Sequence, residues 1–168
     1  MKTLFMIVLL FPAVAFAADD DHVIRWKGIA GVITAPNVDN AVAGIHSGTF
    51  PWVTRHGTAR VNVATGAAAF QVEGLVINGA NVSGTPGPVN EVVGTLVCNP
   101  GDRTQSIIDT PTVPLNVHGD ARFSGHIGGY IPPCANPLFL IRIGPAVQGA
   151  AGRWIATGTE RFIGDDGD

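Results

Sequence analysis

No stretch of this chain offers an amphipathic helix of ordinary length. Apolar residues never recur at spacings of three and four over a long window without a glycine or proline intervening, and there are 22 glycines and 12 prolines among the 168 residues. In a helix interior glycine costs about 1 kcal/mol and proline about 3 kcal/mol relative to alanine, so such windows do not hold a helix. Alternation with period two is common instead, which is the pattern of half-buried strands. The hydrophobic fraction of 46% separates the chain from glycine- and proline-rich disorder and gives it material for a core.

The clearest alternation runs over residues 58–63, where Ala59, Val61 and Val63 share one face and Arg60 and Asn62 the other. Ala64-Thr65-Gly66 turns the chain, and Ala68, Phe70 and Val72 follow with Gln71 and Glu73 opposite. Two such runs with a short glycine-containing link predict a β-hairpin. Further strands are predicted over 23–33, 91–98, 106–108, 113–117, 121–127, 138–143 and 153–162. Residues 91–98 are apolar almost without a break, as a central strand requires. Pro111 and Pro114 assign 106–108 and 113–117 to an edge. Residues 34–48 and 78–88 read as loops, rich in turn-forming residues. Eight to ten closely spaced strands with no crossover helix predict an all-β fold, an antiparallel β-sandwich or alternatively a small closed β-barrel.

The N-terminus bears on location. Lys2, the apolar run over 4–14 and Ala15-Phe16-Ala17 form the charged, apolar and cleavage regions of a secretory signal peptide. The expected organisation is a signal peptide over 1–17 and one all-β domain over 18–168, exported to the periplasm or secreted. The apolar run is too short to span a bilayer, and the uncharged stretch 123–141 contains Pro132, Pro133 and Pro137, so no membrane span is expected in the mature chain. In an oxidising compartment the isolated pair Cys98 and Cys134 predicts a disulfide. Asp19, Asp20 and Asp21 open the mature chain and Asp165, Asp166 and Asp168 close it, as solvated acidic ends. Between His22 and Gly164 nine basic residues face seven acidic ones, short of the basic excess of a nucleic-acid binder, so no nucleic-acid partner is expected.

Candidate chemistry is sparse. The histidines are His22, His46, His56, His118 and His126. His118, Asp120 and His126 share strand parity and form the best candidate metal or acid–base set, although His118-Gly119-Asp120 also reads as a turn. Phe50-Pro51-Trp52 could present two rings as a ligand-stacking platform, or Trp52 could enter the core at a strand start. Arg142, inside the apolar run 138–143, needs a partner if buried, and Asp109 and Glu160 are the candidates. Ser47, Ser83, Ser106 and Ser124 lack a nucleophile-elbow context. Asn81-Val82-Ser83 matches a glycosylation acceptor, relevant only in a eukaryotic secretory pathway. His56-Gly57-Thr58-Ala59-Arg60-Val61 echoes His118-Gly119-Asp120-Ala121-Arg122-Phe123, a shared device for starting a strand.

Val93-Gly94-Thr95-Leu96-Val97-Cys98, Gly119-Asp120-Ala121-Arg122-Phe123-Ser124-Gly125, Phe139-Leu140-Ile141-Arg142-Ile143 and Gly152-Arg153-Trp154-Ile155-Ala156 resemble segments of small exported bacterial β-proteins with no assigned activity. That resemblance implies a bacterial envelope or secreted origin and supplies no catalytic residue. Gly57-Thr58-Ala59-Arg60-Val61-Asn62-Val63, Ala64-Thr65-Gly66 and Ala69-Phe70-Gln71-Val72-Glu73-Gly74-Leu75 resemble the hairpin of the chordin-type (CHRD) extracellular domain. The chain departs from that domain in lacking its histidine-rich stretch, since no histidine follows Val76 until His118.

The expected function is that of a non-catalytic exported domain acting by surface binding or envelope assembly, with an unidentified envelope or extracellular ligand and no cofactor. Two alternatives stand beside it: a metal-binding or metal-dependent enzyme using His118, Asp120 and His126, and a self-assembling extracellular subunit in which edge strands join copies into a homo-oligomer. Protein purified from its own host should have the mass of a chain beginning at Ala18 with Cys98 and Cys134 oxidised; a mass that retains residues 1–17 would overturn the signal-peptide assignment.

Overall fold

The computed structural model describes residues 22–35, 38–79, 81–147 and 150–163; the expected signal peptide and the acidic ends lie outside them. The strands are β1 (Val23–Gly31), β2 (Trp52–Val53), β3 (His56–Asn62), β4 (Ala67–Glu73), β5 (Val76–Ile77), β6 (Glu91–Cys98), β7 (Ser106–Asp109), β8 (Val113–Pro114), β9 (Ala121–His126), β10 (Leu138–Ile143), β11 (Pro145–Val147), β12 (Ala150–Ala151) and β13 (Trp154–Ile163). No α-helix occurs among the described residues.

Nine strands form one antiparallel sheet in the order β7-β6-β10-β13-β1-β3-β4-β9, with β8 also on β6. The sheet curls until its two edges meet, where β8 lies against β9. One continuous sheet thus supplies two packed halves around a common interior. The predicted hairpin is β3–β4, with Val61 opposite Ala68 and Gly57 opposite Val72. Its turn is built by Asn62, whose Oδ1 accepts from the amides of Ala64 and Thr65, both at 3.0 Å. Gly66 completes it at a φ of 77°, in the left-handed region that favours glycine.

The interior is filled by rings from both halves. Phe139 of β10 lies 5.4 Å from Trp26 of β1 and 5.9 Å from Phe70 of β4, and Phe70 stacks on Phe123 of β9 at 6.0 Å. Gly94 of β6 faces this group, and a Cβ there would stand 2.7 Å from Phe139 and 2.8 Å from Phe70. The walls approach so closely that β6 has room for no side chain at this point.

The outer face of the sheet is treated differently on its two sides. Residues 38–53 form a strap across β13: the Trp154 amide donates to His46 at 2.9 Å, Gly48 donates to the Trp154 carbonyl at 2.7 Å, and the Trp154 indole donates to Asn40 at 2.9 Å. The strap continues to the turn before β7, where Gln105 donates to the Ala43 carbonyl at 3.0 Å. Val93, Thr95 and Val97, on the outer face of β6, are buried like the inward Val92, Leu96 and Cys98, which explains the unbroken apolar run. Arg142 on the same side is nearly covered. It reaches Asp109 at 3.3 Å and the Gly152 carbonyl at 2.9 Å, while Thr95 donates to Asp109 at 2.6 Å.

Cys98 at the end of β6 is bonded to Cys134, as expected. Asn99 reinforces the junction, accepting from the Ala135 amide at 2.7 Å and donating to Pro133 at 2.9 Å. A cross-link closing a loop of this length stabilises the fold by about 4 kcal/mol in the chain-entropy account. β7 and β8 lie on an edge, as the prolines predict, but β8 ends at Pro114 because Asn116 starts a turn. The small sheets β2–β5 and β11–β12 are too short to leave a periodic signal in the sequence.

Gly94→Ala should destabilise the fold by about 1–3 kcal/mol, because the new methyl forces Phe70 and Phe139 apart. Denaturant titration checks this; an unchanged midpoint would show that the walls yield freely.

Candidate functional site: a basic outer face

β1, β3, β4 and β9 bury one face and leave the other to solvent. Along each strand inward apolar residues alternate with outward polar ones: Ala59 and Val61 inward with Thr58 and Arg60 outward, Phe70 and Val72 inward with Gln71 outward, Ala121 and Phe123 inward with Arg122 and Ser124 outward. Pairing sets these outward residues into rows. Arg25 stands opposite Arg60, Arg60 opposite Ala69, and Ala69 opposite Ser124. In the next row Thr58 stands opposite Gln71 and Gln71 opposite Arg122.

These rows surround a depression of about 420 Å³. Ala69 lies between longer neighbours and leaves the space. The rim carries Arg25, Lys27, Arg60 and Arg122, and among the described residues no carboxylate lines it. Arg25 stands directly across from Arg60. Arg122 is held by Gln71, donating to its Oε1 at 2.6 Å, while Gln71 donates to Glu73 at 2.8 Å and Glu73 pairs with Arg55 at 3.6 Å. The Lys27 ammonium sits 4.2 Å from the Phe162 ring centre. The arrangement places several donors and positive charges on one face, beside hydroxyl and amide groups.

The other candidates are placed as follows. His118 and Gly119 lie in the turn before β9, with His118 exposed. Asn116 builds this turn, its Oδ1 accepting from the amides of His118 at 2.9 Å and Asp120 at 3.0 Å. Asp120 is used as a clamp: its Oδ1 accepts from the Gly74 amide at 3.0 Å and its Oδ2 from the Asn116 side chain at 3.1 Å. These bonds, that of Gly74 foremost, hold its carboxyl below the usual value. His126 sits at the far end of β9, about 20 Å away at roughly 3.3 Å per strand residue. The structure does not bring His118, Asp120 and His126 together, and among the described residues no group of three or more metal-ligating side chains converges. Trp52 is buried opposite Ile77, while Phe50 stays exposed, so the two rings do not share a platform.

A histidine and a carboxylate do meet in the strap, a pairing the sequence reading missed because Asp39 there passes for a turn former. His46 Nδ1 contacts Asp39 Oδ2 at 2.5 Å, and Asp39 Oδ1 accepts from the Ser47 amide at 2.9 Å. Arg153, which donates to the Ser47 carbonyl at 2.8 Å, adds a nearby positive charge. The His46 bond, then the Ser47 bond, hold the Asp39 carboxyl below its usual value. The Ser47 hydroxyl is buried and bonded to the strap backbone, so this is a fastening of the strap to β13.

Protein-family models, curated proteins and solved structures yield no match to this chain.

A carboxyl depressed by folding stabilises above its ordinary value and ceases to do so as the pH falls through its folded value. The Asp39 contribution is therefore complete above pH 3.8 and fades below it. Asp39→Asn should lower stability at neutral pH and flatten the loss of stability below pH 3.8; denaturant titration across that range checks it, and parallel curves for the two proteins would refute it.

Proposed function

We propose that this protein is an exported, disulfide-bonded binding domain without catalytic activity, and that its partner is anionic and docks on the outer face of β1, β3, β4 and β9. The observation that carries the reading is the contrast between the two outer half-faces. One is crossed by the strap at Trp154, whereas the other gathers Arg25, Lys27, Arg60 and Arg122, with no carboxylate among the described residues of its lining. The interior is packed with rings, so a ligand has to be met at the surface. Export agrees with the Cys98–Cys134 bond, and a bacterial envelope origin follows from the resemblance of the second half of the chain.

With nine basic and 13 acidic residues over 18–168, the mature chain is net negative and should pass through a sulfonate cation-exchange matrix at pH 7 unless a local face holds it. The mature protein should be retained at low salt, and Arg60→Ser combined with Arg122→Ser should abolish the retention without lowering the melting temperature. Equal retention of the double variant would overturn the assignment of the face.

A further inference from the structure

We infer that Asn78 is a site of covalent self-modification, where attack by the Gly79 amide converts the asparagine to aspartate and isoaspartate. Of the nine asparagines in the sequence, Asn78 is the one that glycine follows. Valine, alanine, glutamate or proline follows the others. A side chain after the asparagine crowds the attacking nitrogen, and proline has no N–H to lose. The structure leaves the Asn78–Gly79 pair reactive. Asn78 is exposed and directly follows β5. Asn62, Asn99 and Asn116 spend their carboxamides on turns and on the disulfide junction, whereas no described residue hydrogen-bonds the carboxamide of Asn78. That group is free to rotate onto the Gly79 nitrogen.

Gly79 supplies the nucleophile. Its φ is 96°, a conformation open to glycine, and without a Cβ it leaves the approach of the Asn78 Cγ clear. Its N–H lies outside the strand ladders and donates to the Ser83 hydroxyl at 3.2 Å. One side-chain bond on an exposed loop opens at low cost. The base of the loop is fixed: Gly84 donates to the Ile77 carbonyl, Ile77 to Thr85 and Asn78 to Pro51, each at 2.9 Å. The reacting groups therefore stay together on a short turn. Hydroxide takes the Gly79 amide proton and the nitrogen attacks the Asn78 Cγ. A C–N bond forms, the carboxamide C–N bond breaks, and ammonia leaves with a proton from water. Water then opens the five-membered imide. Opening at Cγ gives aspartate, and opening at the main-chain carbonyl gives isoaspartate. One water enters and one ammonia leaves, with no change of oxidation state. Both products add a negative charge, and isoaspartate also lengthens the main chain by a methylene inside the loop that Ile77 and Gly84 close.

Ageing the folded mature protein in warm, mildly alkaline buffer tests the inference. The protein is then cut after glutamate, and the peptide 74–91 is fragmented in a mass spectrometer. Position 78 should exchange its amino group for a hydroxyl, in two chromatographic forms, while the asparagines at 81 and 90 stay unchanged. The rate should rise in proportion to hydroxide. An isoaspartyl methyltransferase should label the aged peptide. Gly79→Ala should slow the conversion on the order of tenfold, because the new Cβ restricts the backbone and crowds the nitrogen. Asn78→Gln leaves the backbone untouched but lengthens the side chain, so that attack would close a larger ring; it should show neither conversion nor labelling over the same period. Conversion of the peptide after denaturation but not in the folded protein would mean that the fold shields the pair, and would overturn the inference. Conversion at 81 or 90 as fast as at 78 would overturn it as well.

Discussion

The structure depends on the close approach of opposite walls of one curled sheet. Phe139, Phe70 and Trp26 fill the space between β10, β4 and β1, and the wall at β6 reaches them only because Gly94 has no side chain. Buried aromatic side chains contribute more apolar area than any other residues, and their removal from water dominates the energy of such a core. With the interior filled in this way, inward positions are committed to packing. Chemistry that meets solvent has to be carried on the outer face or in the turns.

The outer face is divided by the strap. Residues 38–53 are tied to Trp154 and Arg153, and Asp39 with His46 secures the crossing. Arg142 is nearly buried and is compensated by Asp109 and a backbone carbonyl, as such a charge requires. The uncovered half has the opposite character. Its charges are solvated, so several cations can be gathered there at modest cost.

Much of this was legible in the sequence. The β3–β4 hairpin, both limits of Glu91–Cys98 and of Leu138–Ile143, the edge position of β7 and β8, and the disulfide follow from alternation, turn residues and cysteine count. Arg25, Arg60 and Arg122 could each be assigned to the polar side of their own strand. The candidate set His118, Asp120 and His126 was drawn on strand parity. The chain instead turns at Gly119, whose φ is 81°, and Asp120 is spent on the Gly74 and Asn116 bonds. The echo between the segments beginning at His56 and His118 has a structural counterpart, because β3 and β9 flank β4 on its two sides, but their glycines serve different purposes. A Cβ at Gly57 would strike Ile29, whereas one at Gly119 would strike the backbone of Leu75.

The sequence by itself determined the local terms: which segments extend, where they turn, which face of each strand is apolar, and which two thiols were there to pair. These follow from contacts between residues close in the chain and from the period of two. Tertiary structure alone decided that β1, β3, β4 and β9 lie side by side, that Arg25 faces Arg60, and that the strap is tied to Trp154. Strand order is set by long-range packing of Phe70, Phe123, Phe139 and Trp26. No periodicity within a segment records which other segment its apolar face will meet.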